Sequence, residues 1–288
     1  MQKLYFLSIL LLLCTCNQPV EKVAADKAAN TNKGQLFIIG GGKRPESMIR
    51  KLVGISGIDK NGYGIILPMS SAEPDSAVYY AKIQFSTLGL ENVVGMNFNK
   101  GDTITEAQQD SITHASMIYI AGGDQNKFMD IVGNTPIESA IKEAYRQGSV
   151  IAGTSAGAAV MSKKMITGNE LRHPEYEATF RNIESDNIEL KQGLGLLETA
   201  IVDQHFVKRS RHNRLFSAVI EHADLLGIGI DESTAIIVKG DSAEVVGDSQ
   251  VIVFSNPEQS KKQAGTLLGA ESIQVDILLP GSRFSLNR

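Results

Sequence analysis

Three short, almost continuously apolar runs in the first half of the chain each end in glycine or proline. Residues 35–39 are followed by three glycines, residues 64–67 by Pro68, and residues 117–121 by two glycines. A short apolar run bounded by turn signals is typical of a strand buried on both faces. We therefore predict three strands of a parallel sheet covered by helices on both sides.

A helical period is clearest over residues 135–147. Thr135 is placed to cap this helix, Pro136 occupies its first position, and Glu138 has the spacing of a capping box. Another strand-like run, residues 149–152, follows at once. Alternation of strands and helices predicts an α/β fold with a doubly wound, mostly parallel sheet flanked by helices.

The second half of the chain departs from this alternation twice. Residues 170–192 are polar and charged and lack a sustained period, so we expect a long excursion that forms a lid or a pocket wall. After Gly240 the chain becomes rich in strands. Residues 243–246, a turn at 247–248, and residues 250–254 predict a C-terminal β hairpin that completes the same domain.

The N-terminus has the pattern of an export signal. Residues 4–13 form an apolar run that suits a signal peptide and is too short to span a bilayer. The run ends near Cys14 and Cys16, which resembles a bacterial lipoprotein signal with Cys16, or else Cys14, as the lipidated residue. Plain secretion and a short uncleaved anchor are the alternatives. The predicted segments are a signal segment (1–16), a flexible tether (17–33) and one folded domain (34–288).

Composition narrows the possible functions. A net charge of −4 provides no basic surface for nucleic acid, and 42% hydrophobic residues are enough for a sizeable core. The two cysteines lie at the extreme N-terminus, so the folded domain has no disulfide framework, no zinc-type cysteine cluster and no cysteine nucleophile. We expect an exported protein, lipid-anchored or secreted, that needs no metal and no cofactor.

Ser155 is the candidate nucleophile. Residues 153–157 read Gly-Thr-Ser-Ala-Gly and directly follow the strand-like run at 149–152. Gly-x-Ser-x-Gly between a strand and a helix is the nucleophile-elbow arrangement, in which the glycines allow a sharp turn and expose the serine hydroxyl. The helix that follows can stabilise an anion with its free N–H groups. The alternative is a small-residue turn that only packs a helix against the sheet.

A serine hydroxyl needs a neighbouring base, which a third group orients. His205 is the best placed of the five histidines, because it follows the apolar run 197–202 where open α/β sheets place their sites. Asp231 and Glu232 follow another apolar run, residues 227–230, and either carboxylate can orient the imidazole. The order serine, histidine, acid differs from that of the α/β-hydrolases and argues against an ordinary lipase or esterase.

Four short motifs fall in order along the chain. They are Gly-Gly-Asp-Gln at 122–125, Gly-Thr-Ser-Ala-Gly-Ala at 153–158, Asp-Gln-His-Phe at 203–206 and Gly-Ile-Asp-Glu at 229–232. Together they resemble the cyanophycinase branch of the S51 serine peptidases over most of the chain from Gly34 onward. The resemblance implies a class I glutamine amidotransferase-like fold. It also implies hydrolysis of cyanophycin, a poly-aspartate with arginine on its side chains, to β-aspartyl-arginine dipeptides.

The same resemblance implies roles for single residues. Ser155 matches the nucleophile, His205 the general base and Glu232 the acid that orients it. Arg209 lies in the third motif and is either a substrate-binding or a structural residue. The positions that match the substrate pocket are Gln125, Asp203, Gln204, Arg211 and Arg214.

The chemistry of these residue types suits such a substrate. A β-aspartyl residue presents a free α-carboxylate beside the scissile bond, and an arginine fork can hold a carboxylate through two hydrogen bonds. The alternative is that the three arginines form an exposed, salt-bridged helix face. The oxyanion of the reaction needs aimed donors, for which the N–H of Ala156 and that of Gly122 or Gly123 are the candidates.

We therefore expect a serine hydrolase acting on β-aspartyl linkages, with a peptide or cyanophycin-like polymer as substrate. An α-aspartyl or isoaspartyl dipeptidase of the same superfamily, or an anchored binding protein without activity, are the alternatives. The excursion at 170–192 is longer than the connection usual in the family, which leaves the polymer preference open. The resemblance further implies a homodimer. From the N-terminal signal we expect contact with a membrane only through the lipid anchor.

Overall fold

The computed structural model describes residues 1, 34–175, 177 and 179–287. The signal segment with Cys14 and Cys16 and the tether at 17–33 lie outside the described residues. Among the described helices, none combines the length and the apolar character needed to cross a bilayer. Within the same residues, no group of three or more His, Cys, Asp and Glu side chains has the arrangement of a metal site.

Helices and strands alternate along the first half of the chain, and strands dominate its last quarter. The helices are α1 (Glu46–Ser56), α2 (Pro74–Ser86), α3 (Glu106–Thr113), α4 (Gln125–Val132), α5 (Pro136–Arg146), α6 (Ala156–Ala159) and α7 (His212–Glu221). The strands up to the middle of the chain are β1 (Gln35–Ile39), β2 (Gly64–Leu67), β3 (Val93–Gly95), β4 (Met117–Ile120), β5 (Val150–Thr154), β6 (Lys164–Glu170) and β7 (Ile188–Gln192). The remaining strands are β8 (Ala200–Gln204), β9 (Leu226–Ile230), β10 (Thr234–Lys239), β11 (Ser242–Gly247), β12 (Val251–Ser255), β13 (Lys262–Ala264), β14 (Leu267–Gly269), β15 (Gln274–Leu278) and β16 (Arg283–Ser285).

The central element is an eight-stranded sheet with the order β16-β11-β10-β1-β5-β4-β2-β3. Strands β1, β5, β4, β2 and β3 run parallel, and β10, β11 and β16 extend the sheet antiparallel. Side chains of a strand alternate between faces, so Phe37 and Ile39 pack with α1 and α2, whereas Leu36 and Ile38 pack on the α5 side. The predicted α/β class, with a mostly parallel sheet between helices, is confirmed.

A second sheet of four strands, in the order β15-β12-β9-β8, lies beside the first. Its β8 and β9 are parallel, and β12 is antiparallel to β9. One face joins the large core, and the other packs with α7 through residues such as Ile201, Phe254, Leu215 and Val219. The sequence predicted the apolar runs of β8 and β9, but not that they form a separate sheet.

The C-terminal hairpin is present with different strands from those predicted. Strand β11 pairs with β10, whereas β12 pairs with β9 and β15. The turn at 247–248 therefore carries the chain from one sheet to the other and does not close a hairpin. Apolar alternation indicates a strand, but it does not specify the strand's neighbour.

The predicted cap of α5 is also built differently. The hydroxyl of Thr135 accepts a hydrogen bond from the N–H of Ile137 (3.2 Å), not from that of Glu138. The Glu138 carboxylate accepts from the N–H of Asn134 at 2.6 Å. Both side chains still satisfy N–H groups at the start of the helix, which is the purpose of a cap.

The excursion predicted at 170–192 is shorter than expected, because its last residues form β7, paired antiparallel with β6. Side-chain hydrogen bonds fasten the connecting segment to the loop and helix after β8. The hydroxyl of Thr179 donates to the carbonyl of Arg209 (2.7 Å), and the amide of Asn213 donates to the carbonyl of Phe180 (3.0 Å). The segment therefore forms a wall next to the residues that follow β8.

Candidate active site

Ser155 occupies a sharp turn at the carboxyl end of β5, a strand flanked by β1 and β4 in the middle of the parallel sheet. Its φ is 54° and its ψ is −112°, a backbone conformation that residues other than glycine rarely adopt. Helix α6 begins at the next residue, Ala156. The structure therefore contains the strained strand-to-helix turn that the Gly-x-Ser-x-Gly pattern predicts.

His205 and Glu232 complete a hydrogen-bonded chain with this serine. The Ser155 hydroxyl donates to Nε2 of His205 at 2.8 Å, and Nδ1 of His205 donates to Oε1 of Glu232 at 2.7 Å. His205 directly follows β8, and Glu232 lies two residues after the end of β9. A carboxylate on Nδ1 leaves Nε2 unprotonated and able to accept the serine proton.

Asp231, the other acid that the sequence left open, has different partners. Its Oδ1 accepts a hydrogen bond from the N–H of Lys208 (2.9 Å), and its Oδ2 accepts from the hydroxyl of Ser249 (2.9 Å). Of the two neighbouring acids, Glu232 is the one in contact with the imidazole.

The surroundings keep the His205 imidazole neutral. Burial is the largest cause that lowers its pKa below the ordinary value, and the positive charges of Arg209 and Arg211 lower it further. The hydrogen bond and the charge of Glu232 act in the opposite direction and raise the pKa. Because the net shift is downward, the imidazole is available as a proton acceptor at neutral pH.

The residues considered as oxyanion donors lie around Ser155. A Cβ placed on Gly122 would be 3.3 Å from Cβ of Ser155, so the glycine pair after β4 borders the serine. Gly123 packs against the carbonyl of Ser70. Ala156 is the first residue of α6, and the first N–H groups of a helix have no acceptor within it.

Three of the residues matched to a substrate pocket form a buried ion cluster. Arg214 donates from Nε to Oδ2 of Asp203 at 2.6 Å and from Nη2 to its Oδ1. Arg211 donates from Nη1 to the carbonyl of Gln204 at 2.6 Å, and the same nitrogen lies 3.7 Å from Oδ1 of Asp203. Asp203 is 0% exposed and Arg214 is 1% exposed. The guanidinium of Arg214 is therefore already bound to the carboxylate of Asp203. Because Arg211 and Arg214 are both buried, they do not form an exposed helix face.

The other matched residues differ in accessibility. Gln125 is buried, and its Nε2 donates to the carbonyls of Ile166 (3.0 Å) and Thr167 (2.7 Å). Gln204 is also buried, and its Oε1 has no hydrogen-bond partner among the described residues. Arg209 is exposed, and no carboxylate of the described residues forms an ion pair with it. Among the three arginines, Arg209 is thus the one open to solvent.

Sequence reasoning missed one part of the site, the three glycines after β1. A Cβ on Gly41 would meet the ring of His205, and a Cβ on Gly42 would meet Glu232. The sequence signal was a glycine triplet at a strand end, which does not reveal the side chains that will lie against it.

Comparison with known proteins agrees with this geometry. Residues 36–246 match the group described as Peptidase family S51. The chain belongs to peptidase family S51. Membership of S51, together with its cyanophycinase relatives, makes the chain a serine-type peptidase.

Two relatives and one solved structure are similar to this chain over most of its length. A cyanophycinase of Trichormus variabilis is 32% identical over 274 residues, covering 90% of this chain and 88% of that protein. A cyanophycinase of Geminocystis herdmanii is 31% identical over 231 residues, covering 76% of this chain and 81% of that protein. The crystal structure of a peptidase from an acI-B1 Actinobacterium has a TM-score of 0.62 and 24% identity, with 89% and 98% of the two chains covered. That structure shows a similar fold.

Proposed function

We propose that this S51 peptidase degrades a cyanophycin-like polymer. It hydrolyses the backbone peptide bonds next to β-linked Asp-Arg units and releases β-Asp-Arg dipeptides with the β-aspartyl linkage intact. The observation that carries the reaction type is the hydrogen-bonded chain from Ser155 through His205 to Glu232. The choice of substrate is supported by the relatives, which are cyanophycinases at 31–32% identity.

The proposed reaction has two halves. In the first, Oγ of Ser155 attacks the scissile carbonyl carbon while Nε2 of His205 takes the hydroxyl proton, and the imidazolium then gives that proton to the leaving amine. The product is an acyl ester on Ser155. In the second half, water attacks the ester, again losing a proton to Nε2, and the proton returns to Oγ as the ester bond breaks. Glu232 holds the Nδ1–H and stabilises the imidazolium.

The oxyanion of each tetrahedral intermediate needs hydrogen-bond donors. In our proposal, the N–H of Ala156 and an N–H of Gly122 or Gly123 supply them. The position of these residues around Ser155 supports that assignment. A well-aimed donor of this kind contributes about 3–4 kcal/mol to transition-state stabilisation.

Recognition of the β-aspartyl group is assigned mainly to Arg209 and Gln204. The guanidinium of Arg209 is exposed and near His205, so it can pair with the free carboxylate of the arginine in a β-Asp-Arg unit. The unpaired Oε1 of Gln204, one residue before His205, is available to accept from a donor of the substrate. The buried cluster then has a supporting role: it holds the segment that carries these two side chains. Its members are Asp203, Arg211 and Arg214.

The test is incubation of the purified protein with insoluble cyanophycin, with soluble products identified by mass spectrometry. We expect β-Asp-Arg dipeptides from the wild type and a loss of rate of about 10³-fold or more in Ser155→Ala. Ser139→Ala, at an exposed serine of α5, is the matched control and should retain the wild-type rate.

Two results would contradict the proposal. Retained hydrolysis in purified Ser155→Ala would exclude this serine as nucleophile. Cleavage of α-aspartyl or isoaspartyl dipeptides without release from the polymer would replace the polymer by a small peptide as the substrate.

A further inference from the structure

The turn after β1 gives consecutive carbonyl oxygens to the three parts of the candidate triad. One carbonyl accepts from the N–H of the serine, the next from that of the histidine, and the third from the residue after the glutamate. The pairs, with their N···O distances, are Ile39 and Ser155 (3.0 Å), Gly40 and His205 (2.8 Å), and Gly41 and Ser233 (2.9 Å). A single stretch of backbone therefore bonds to all three loops.

This stretch joins two sheets that carry different members of the triad. Ser155 follows β5 of the eight-stranded sheet, whereas His205 and Glu232 follow strands of the four-stranded sheet. Within the part of the chain that the structure describes, the two sheets share no strand, so no common ladder of backbone hydrogen bonds sets the distance between serine and histidine. The turn after β1 leaves the first sheet and bonds directly to His205 and to the residue after Glu232, so it links the loops that carry the triad.

The side-chain position of Gly41 is filled by the base. An ideal Cβ at this residue would lie 2.3 Å from Cε1 and 2.6 Å from Nε2 of His205, well inside van der Waals contact. The φ of Gly41 is +117°, which other residues rarely adopt. The bare backbone of Gly41 thus forms the surface on which the imidazole ring rests.

Gly42 stands in the same relation to the acid. Its ideal Cβ would lie 2.8 Å from Cβ and 2.9 Å from Oε2 of Glu232. The carbonyl of Gly42 accepts from Nη1 of Arg44 (3.1 Å), and Nε of the same guanidinium donates to Oε1 of Gln84 (2.6 Å). Arg44 therefore ties the turn to α2.

We propose that Gly41 and Gly42 are positioning residues of the reaction, and that Arg44 supports them. Their missing side chains and their carbonyl bonds hold the imidazole and the carboxylate at hydrogen-bond distance from each other and from Ser155. This inference rests on the proposed role of the triad. It goes further by assigning the alignment of the triad to a turn whose backbone packs against the imidazole and the carboxylate.

Gly42→Ala and Gly57→Ala form a matched pair for the test. The two glycines have φ values of +67° and +68°, so the same substitution strains both backbones alike. A Cβ at Gly57 meets nothing within 4 Å, whereas a Cβ at Gly42 meets Glu232. Any difference between the two variants therefore reports the contact with the acid and not the backbone strain.

Three measurements separate positioning from stability. The first is the rate at which a fluorophosphonate probe labels Ser155, the second is kcat and KM on aspartyl substrates, and the third is the downfield proton resonance of the hydrogen bond between His205 and Glu232. Displacement of a reacting group by about 1 Å can lower a rate by about 100-fold. We expect labelling and kcat of Gly42→Ala to fall by about that factor, with KM unchanged and the resonance shifted or lost. Gly57→Ala should match the wild type in labelling, kinetics and resonance. Its loss of Tm from backbone strain should be similar to that of Gly42→Ala.

Equal labelling rates and an unchanged resonance in Gly42→Ala and Gly57→Ala would overturn the inference. If Gly42→Ala does not fold, Arg44→Ala decides, because it frees the Gly42 carbonyl without adding atoms to the site. It should slow labelling several-fold relative to Arg50→Ala, which removes an exposed arginine of α1; equal rates would again refute the inference. Labelling does not depend on the natural substrate. A wild type that is labelled but cleaves no aspartyl substrate would refute the proposed function alone.

Discussion

The buried carboxylate of Asp203 offers the sharpest test of the energetics of the site. Asp203→Asn keeps the shape of the side chain and removes its charge. The carboxylate that is replaced accepts hydrogen bonds from two nitrogens of Arg214, and its Oδ1 lies 3.7 Å from Nη1 of Arg211. The substitution leaves both guanidinium groups buried without that counter-charge, since their side chains are 1% and 4% exposed.

The expected loss of stability follows from this burial. Removing one partner of a buried ion pair costs about 3–5 kcal/mol, because the remaining charge stays buried and loses that counter-charge. With two guanidinium groups facing one carboxylate, we expect the upper part of that range. A domain of this size loses about 2–4 °C in Tm for each kcal/mol, so the midpoint should fall by roughly 10–20 °C.

Urea unfolding followed by circular dichroism measures the change in the free energy of unfolding, and thermal unfolding measures the change in Tm. Glu46→Gln is the control, because it neutralises the partner of Arg50 in a pair whose side chains are 68% and 63% exposed. An exposed pair of this kind contributes less than about 1 kcal/mol. The double variant Asp203→Leu with Arg214→Met should lose less stability than the sum of the two single variants, because no unpaired charge of that pair remains.

One result would refute this reasoning. If Asp203→Asn unfolds within about 1 kcal/mol of the wild type and its KM rises, the carboxylate contacts the substrate. The arginines would then be oriented by something other than Asp203, and their assignment as a supporting cluster would be wrong.

Two further predictions concern pH and a helix cap. Because the pKa of His205 is lowered and its neutral form accepts the proton, kcat/KM should fall only below pH 6.5; a fall above that pH would contradict the shift. Arg209→Ala removes a charge that lowers this pKa, so the acid limb should move to higher pH, whereas Arg209→Lys should leave it in place. Thr105→Ala removes the capping box shared with Gln108 and should cost about 1 kcal/mol in urea unfolding, with Thr113→Ala, at the far end of α3, as the control.

Local pattern was enough for several strands and for the turn that carries Ser155. The apolar runs at 35–39, 64–67 and 117–121 predicted β1, β2 and β4, because a strand buried on both faces has few polar positions. The glycines around Ser155 predicted a sharp turn after β5, because few other residues permit one. Both features depend on neighbours within a few residues, which is the range that sequence periodicity covers.

Long-range contacts decided the rest of the site. The residue pattern left Asp231 and Glu232 equivalent, and the resemblance alone favoured Glu232. The approach of β8 to β9 places Glu232 on His205. The burial of Arg214 against Asp203 depends on how α7 packs on the second sheet, so an exposed helix face was an equally reasonable expectation.

The sequence by itself therefore determined the candidate residues for the chemistry and the strands that present most of them. The tertiary structure decided the division into two sheets, the partner of β12, and the contact of Gly41 and Gly42 with the triad. The physical reason is that Gly41 and Gly42 lie more than 150 positions from His205 and Glu232, and that β12 bypasses its neighbour β11 to pair with β9 and β15. No local pattern encodes such pairs, and packing of the whole domain selects them.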